Sequence, residues 1–298
     1  MLHLKRYVEA EEAFRHAMVL VNQNDTYAVS GDAGIATYKT WYGLALALVG
    51  QAAFAEGREW CQKALDAQPN MADARYLLGM TYVHEQNWTE AVKVLEEVVR
   101  RHPDYTAAHQ ELLKIHMTAG NHAAALPYVR RAAFERGNDF DTQAQWAQCS
   151  EALGLLEEAR EAYERMQNIA PYSAEVRVNL GRVLAATGAT AEAIECYTEA
   201  IHLDPRYGNA FFNAGDLLYK MGYYKESADA YLSGLEVEPS RASGFFTLGN
   251  CYFQTRDYAA AVLSYKQAIQ QDPTLEMARQ NMALAEEMQA QEMVAAPH

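Results

Sequence analysis

The chain has 298 residues, with 25 lysines and arginines against 39 aspartates and glutamates, a formal charge of -14 and a hydrophobic fraction of 50%. That surplus of carboxylates repels phosphate backbones and anionic head groups. No basic stripe overrides it and no run of about 18 apolar residues occurs, so neither nucleic-acid binding nor membrane insertion is expected. Four well-separated cysteines, Cys61, Cys149, Cys196 and Cys251, form no C-x-x-C pair. They argue against a disulfide framework or zinc knuckle and for reduced core thiols in a cytoplasmic protein.

Residues 1–22 contain YVEAEEAFRHAM, in which Tyr7, Ala10, Phe14 and Ala17 share one face, as in a single capping helix. Residues 23–37 are rich in turn formers and read as a linker or insertion. From Tyr38 onward the chain is periodic. Pro69, Pro103, Pro171, Pro205, Pro239 and Pro273 recur at one phase of a 34-residue period, and Gly137 takes the skipped place. Seven contiguous units follow, 38–71, 72–105, 106–139, 140–173, 174–207, 208–241 and 242–275. Position 8 of each unit is small in six of them (Ala45, Gly79, Ala147, Gly181, Gly215, Gly249), and position 20 is small throughout (Gly57, Ala91, Ala125, Ala159, Ala193, Ser227, Ala261). Small residues there let two helices approach closely. Leu44, Leu78, Leu112, Trp146, Leu180 and Leu248 at position 7, with Tyr163, Tyr197, Tyr231 and Tyr265 at position 24, supply the packed face of each pair. The third unit departs from the pattern, with Pro127 inside its second helix and His109 and His116 in its first, and a softer joint is expected there. Residues 276–292 read as a solvating helix with Met282, Ala285 and Met288 inward, and 293–298 as a disordered tail.

These residues, from WYGLALAL at 41–48 through the runs ending NIAP, HLDP, EVEP and QQDP, resemble the tetratricopeptide repeat family over about four fifths of the chain. The resemblance implies an all-α fold, a right-handed alpha-alpha superhelix or solenoid, whose first helices line an inner groove. It also implies a protein-interaction scaffold that takes a peptide or protein segment. In the family's phase, positions 2, 5, 9 and 12 of the last two units place Asn209, Phe212, Asp216, Tyr219, Ser243, Phe246, Asn250 and Phe253 along the groove. Position 6 adds Asn179 and Asn213, amides able to donate to and accept from an extended backbone. A second, apolar zone comprises Tyr42, Leu46, Tyr76 and Met80, with Val49 and Val83 beside them. The middle units are polar, with Gln110, Lys114, Gln148 and Glu151. Members of the family that hold the C-terminal carboxylate of chaperones carry Lys at position 5 and Asn at position 9 of one unit. Here positions 5 and 9 never hold that pair, so chaperone tails are not the expected ligand.

No residue set announces a reaction. His109 and His116 are seven residues apart on one helix, about 10 Å, where two ligands of one ion need about 6 Å. Asp139-Phe140-Asp141 stands where a first helix begins and reads as a cap. No enzyme, cofactor or metal is expected, and self-association is a further partner class. A second resemblance is local. Residues 34–48, GIATYKTWYGLALAL, resemble the stretch that precedes the repeats in bacterial glycosyltransferases carrying such an array. That likeness implies an acceptor-binding or assembly module whose catalytic domain lies outside this chain.

Overall fold

The computed structural model describes residues 2–23 and 38–295. The linker expected at 23–37 therefore lies, beyond its first residue, outside the described residues. Among those described, the regular structure is entirely helical. A first helix, α1 (Leu2–Gln23), is followed by pairs: α2 (Thr40–Gly50) and α3 (Phe54–Ala67); α4 (Ala72–His84) and α5 (Trp88–Arg101); α6 (Thr106–Thr118) and α7 (His122–Glu135). The pairs continue as α8 (Phe140–Ala152) and α9 (Leu156–Ile169); α10 (Ala174–Thr187) and α11 (Thr190–Leu203); α12 (Gly208–Lys220) and α13 (Tyr224–Val237); α14 (Ala242–Gln254) and α15 (Tyr258–Gln271). The last helix, α16 (Glu276–Ala295), runs past residue 292, so 293–295 continue it rather than begin a tail.

The chain divides into two compact units, 1–132 and 133–298, and the division falls within α7, the helix that carries Pro127. Within each unit, successive helices pack on one another. First helices also touch the next first helix, α2 against α4, α10 against α12 and α14 against α16, so they lie side by side along one face.

The hairpins close at position 15, where Ala52, Gln86, Gly120, Gly154, Gly188, Gly222 and Arg256 all have positive φ, from 59° to 88°. Four of the seven are glycines, the residue that adopts this conformation without penalty. Close approach at position 8 is equally specific. A Cβ on Gly181, Gly215 or Gly249 would stand 2.6 to 2.8 Å from the ring of Tyr197, Tyr231 or Tyr265, so each glycine is the seat of the tyrosine at position 24 of its own repeat. The same logic holds α1, where Phe14 sits over Gly43 and Tyr7 over Gly50, while Arg15 pairs with Glu11 and Glu56. All four cysteines are buried, and none of them forms a disulfide.

Candidate binding face of the second unit

The tyrosines seated on position-8 glycines bring the core to the surface. The Tyr265 ring is buried, but its hydroxyl donates to Asn250 Oδ1 at 2.8 Å, and Asn281 Nδ2 donates to the same oxygen at 3.1 Å. With its oxygen occupied twice, Asn250 keeps its amide N–H groups for another partner. Tyr231 donates to the Asp216 carboxylate, and Tyr163 to Glu151, which also pairs with Arg182 at 2.6 Å. Burial pushes the Tyr163 and Tyr265 hydroxyls up to about 12, so they remain donors across ordinary pH.

A cavity of about 280 Å³ opens beside this network, lined by Tyr219, Phe246, Asn250, Phe253, Gln254, Tyr265, Met277, Asn281 and Leu284. Tyr219, Phe246 and Phe253 are half-buried, each with one edge held by a neighbour. Phe246 lies 6.0 Å from the Tyr265 ring, Phe253 5.4 Å from Tyr258, and Tyr219 5.2 Å from Tyr224. The structure thus brings Tyr219, Phe246, Asn250 and Phe253 to one site.

Three residues from α16 complete its wall, and the sequence reading left them out. The signal was present, since Met277, Asn281 and Leu284 stand at positions 2, 6 and 9 when the 34-residue phase is carried past Leu275. Met277 is 64% exposed and Leu284 46%, while Ala278 and Ala285, about 100° further round the helix, are fully buried. One helix therefore caps the core and extends the face.

Phe212 requires a correction. Expected as a groove ring, it is 3% exposed and belongs to the core with Tyr231, Leu235 and Leu248. The reason lies in two glycines. A Cβ on Gly234 would stand 2.8 Å from the Phe212 ring and one on Gly244 3.0 Å from it, so the pair vacates a space that the ring fills. The Arg241 guanidinium, 4.2 Å above the ring, closes it from outside. That guanidinium also donates to Asn209 Oδ1 at 2.8 Å, leaving Asn209 half-buried with its side-chain oxygen engaged. Asn213 donates to the Asn209 backbone oxygen at 2.7 Å, Asn179 is half-buried, and Asp216 is exposed.

In the first unit, Tyr42, Tyr76 and Met80 are half-buried and Leu46 is 45% exposed. Tyr42 packs into the clusters around Leu77 and Ala74, and the Tyr76 ring lies tilted 5.2 Å from that of Tyr105. None of the four lines the cavity found there. That cavity, of about 360 Å³, is bounded by Val83, Trp88, Glu111, Lys114, Ile115, Thr118 and Ala119. His109 contacts the Pro103 carbonyl at 2.7 Å and Arg131 at 3.0 Å, while His116 stacks on Tyr128. Among the described residues no group of three or more His, Cys, Asp or Glu could hold a metal ion, and no helix is long and apolar enough to cross a membrane. Asp139 occupies the N-cap position of α8 as expected, but its carboxylate takes the Thr142 hydroxyl rather than a backbone N–H.

Stacked helical hairpins with a shared face of first helices define an all-α repeat protein. Models described as tetratricopeptide repeat match residues 43–115 and 212–276, and one described as TPR repeat matches 181–222. The chain belongs to the tetratricopeptide repeat family. No curated protein matches it. Among solved structures it is similar to the MamA protein, with 20% identity and a TM-score of 0.52 over 56% of this chain and 92% of that one. The C-terminal part of a TPR repeat-containing protein from Cytophaga hutchinsonii is 18% identical with a TM-score of 0.55, over 81% and 99% of the two chains. A chain in the structure of Naa15/Naa10 bound to HypK-THB gives 16% and 0.66, with 92% of this chain but only 42% of that one covered. At these identities the likeness concerns the fold.

Proposed function

We propose that this chain is a protein-interaction scaffold that receives an extended segment of a partner along the first helices of its second unit. The observation that carries this reading is the 280 Å³ cavity, where half-buried rings stand beside amides whose orientation is set by core tyrosines. Tyr219, Phe246 and Phe253 supply anchoring area, while Asn179, Asn213, Asn250 and Asn281 supply neutral donors and acceptors for a peptide backbone. Asp216 adds an exposed carboxylate. Phe212 acts only by supporting the face, and Asn209 has its amide N–H groups to offer. Leu46, with Tyr42, Tyr76 and Met80 behind it, offers a second contact area in the first unit.

The test places a photo-crosslinking residue at Gln254 in the full chain and sequences the adducts. Adducts that map to one continuous segment of a captured protein, and that disappear with Phe253→Ala plus Leu284→Ala, support the reading. Adducts unaffected by those substitutions overturn it.

A further inference from the structure

Charge around the cavity narrows the partner's chemistry. On α16, Glu287 follows Leu284 by one turn and is exposed. On α12, one repeat back from Asn250, Asp216 is exposed and accepts only the Tyr231 hydroxyl. Further along the first helices Asp141 and Glu175 are exposed as well. Among the described residues no lysine or arginine pairs with Asp216, Glu287, Asp141 or Glu175, whereas the arginines of these helices are already engaged. Arg182 pairs with Glu151, Arg177 with Glu199, and Arg279 with Glu276. Lys220, at the far end of α12, and the exposed Arg256, just past the end of α14, are the cations that remain. The cavity itself is different in kind. Its lining is aromatic, aliphatic and amide, without a carboxylate, and Met277 and Leu284 leave apolar surface open at its mouth.

Resting on the scaffold reading above, we propose that the cavity takes one bulky apolar side chain of an extended peptide whose flanking residues are lysines or arginines. A neutral pocket of 280 Å³ suits an aromatic or leucine side chain, because any charge placed there would lose its hydration without a counter-charge. The carboxylates on either side accept neutral hydrogen bonds but form no ion pair, so they favour cationic neighbours, and the net charge of -14 adds a long-range field of the same sign. The Asn250 amide N–H, turned free because Tyr265 and Asn281 fill its oxygen, meets a backbone carbonyl of the anchored residue.

Fluorescence anisotropy with the full chain and fluorescein-labelled nonapeptides tests this at two salt concentrations. One probe carries a central phenylalanine flanked by lysines, a second replaces that phenylalanine with alanine, and a third replaces the lysines with glutamates. The lysine-phenylalanine probe binds, the alanine probe binds about tenfold more weakly or worse, and the glutamate probe binds weakest. Asp216→Asn with Glu287→Gln weakens the first probe and flattens its salt dependence, and both replacements keep the side-chain shape. Met277→Ala with Leu284→Ala, both at exposed positions, weakens it without changing the melting temperature. If the glutamate probe binds equally well and is still weakened by Met277→Ala with Leu284→Ala, the charge inference is overturned while the scaffold reading stands. If the lysine-phenylalanine probe binds but neither pair of substitutions weakens it, both fall. If no probe binds, this inference is overturned, and the crosslinking experiment decides the scaffold reading by itself.

Discussion

Phe212 and Phe246 stand at the same position of adjacent repeats, yet the surroundings give them opposite fates. Gly234 and Gly244 open a space beneath Phe212, so Phe212→Ala leaves a void and costs stability, about 3 to 5 kcal/mol. Tyr231→Ala falls in the same range, since that ring is also 3% exposed. Equilibrium denaturation compares the two directly, and a Phe212 variant that unfolds like the parent would show that the ring does not hold the core. The Tyr265 hydroxyl separates binding from folding differently. Tyr265→Phe keeps the ring on Gly249 but releases Asn250, so stability falls by no more than about 1.5 kcal/mol while peptide capture weakens. Position 15 gives a third contrast. Nothing lies within 4 Å of a Cβ on Gly188, whose φ is 88°, so Gly188→Ala costs roughly 1 kcal/mol through backbone conformation alone. Gln86→Gly, at φ 59°, stabilises by a similar amount, to be read from the shift in denaturation midpoint at constant m-value.

At the scale of the helix, α6 and α7 carry a pH-sensitive contact. His116 is buried, its Nε2 has no hydrogen-bond partner, and its ring stacks on Tyr128, with the His109 ring tilted 5.7 Å from the same tyrosine and Glu96 as the nearby carboxylate. Burial lowers its pKa, with Glu96 opposing more weakly. The unfolded chain therefore takes up a proton that the folded one resists, and stability falls as pH drops through about 6.5. His116→Gln should flatten that part of the pH–stability profile, and an unchanged slope would assign the effect to other groups. The final helix, α16, covers Val262 and Tyr265 with Met282 and Ala285. Deleting residues 276–298 should accelerate hydrogen exchange in 242–275 far more than in 38–71 and should also remove one wall of the binding cavity. The inward face of this helix was legible from its apolar spacing. Its contribution to the cavity was not, because Met277 and Leu284 look like stray exposed residues until the 34-residue phase is extended to them. Phe212 escaped for the converse reason. Its own position reads as surface, and only two glycines elsewhere in the chain show that there is room for it inside.

For the molecule as a whole, the 34-residue ruler was enough to read the family, the helical hairpins and the small-residue contacts, since each depends on residues within one repeat or its neighbour. What the ruler conceals is where cooperativity breaks, because that depends on how strongly successive contacts are linked. Helices here pack on their immediate neighbours in sequence, and the chain resolves into two compact units that divide within the proline-bearing α7. Stability in such an array is a sum over repeats and their interfaces, so a local defect should be felt locally. Gly249→Val would drive a side chain into the Tyr265 ring, and Gly79→Val into Leu95. In limited proteolysis across a urea series, the first substitution should lower the urea concentration at which fragments from 133–295 appear while those from 38–132 keep their midpoint. The second should do the reverse. If either substitution moves both sets of fragments together, the units unfold as one cooperative block, and the break at α7 has no thermodynamic meaning.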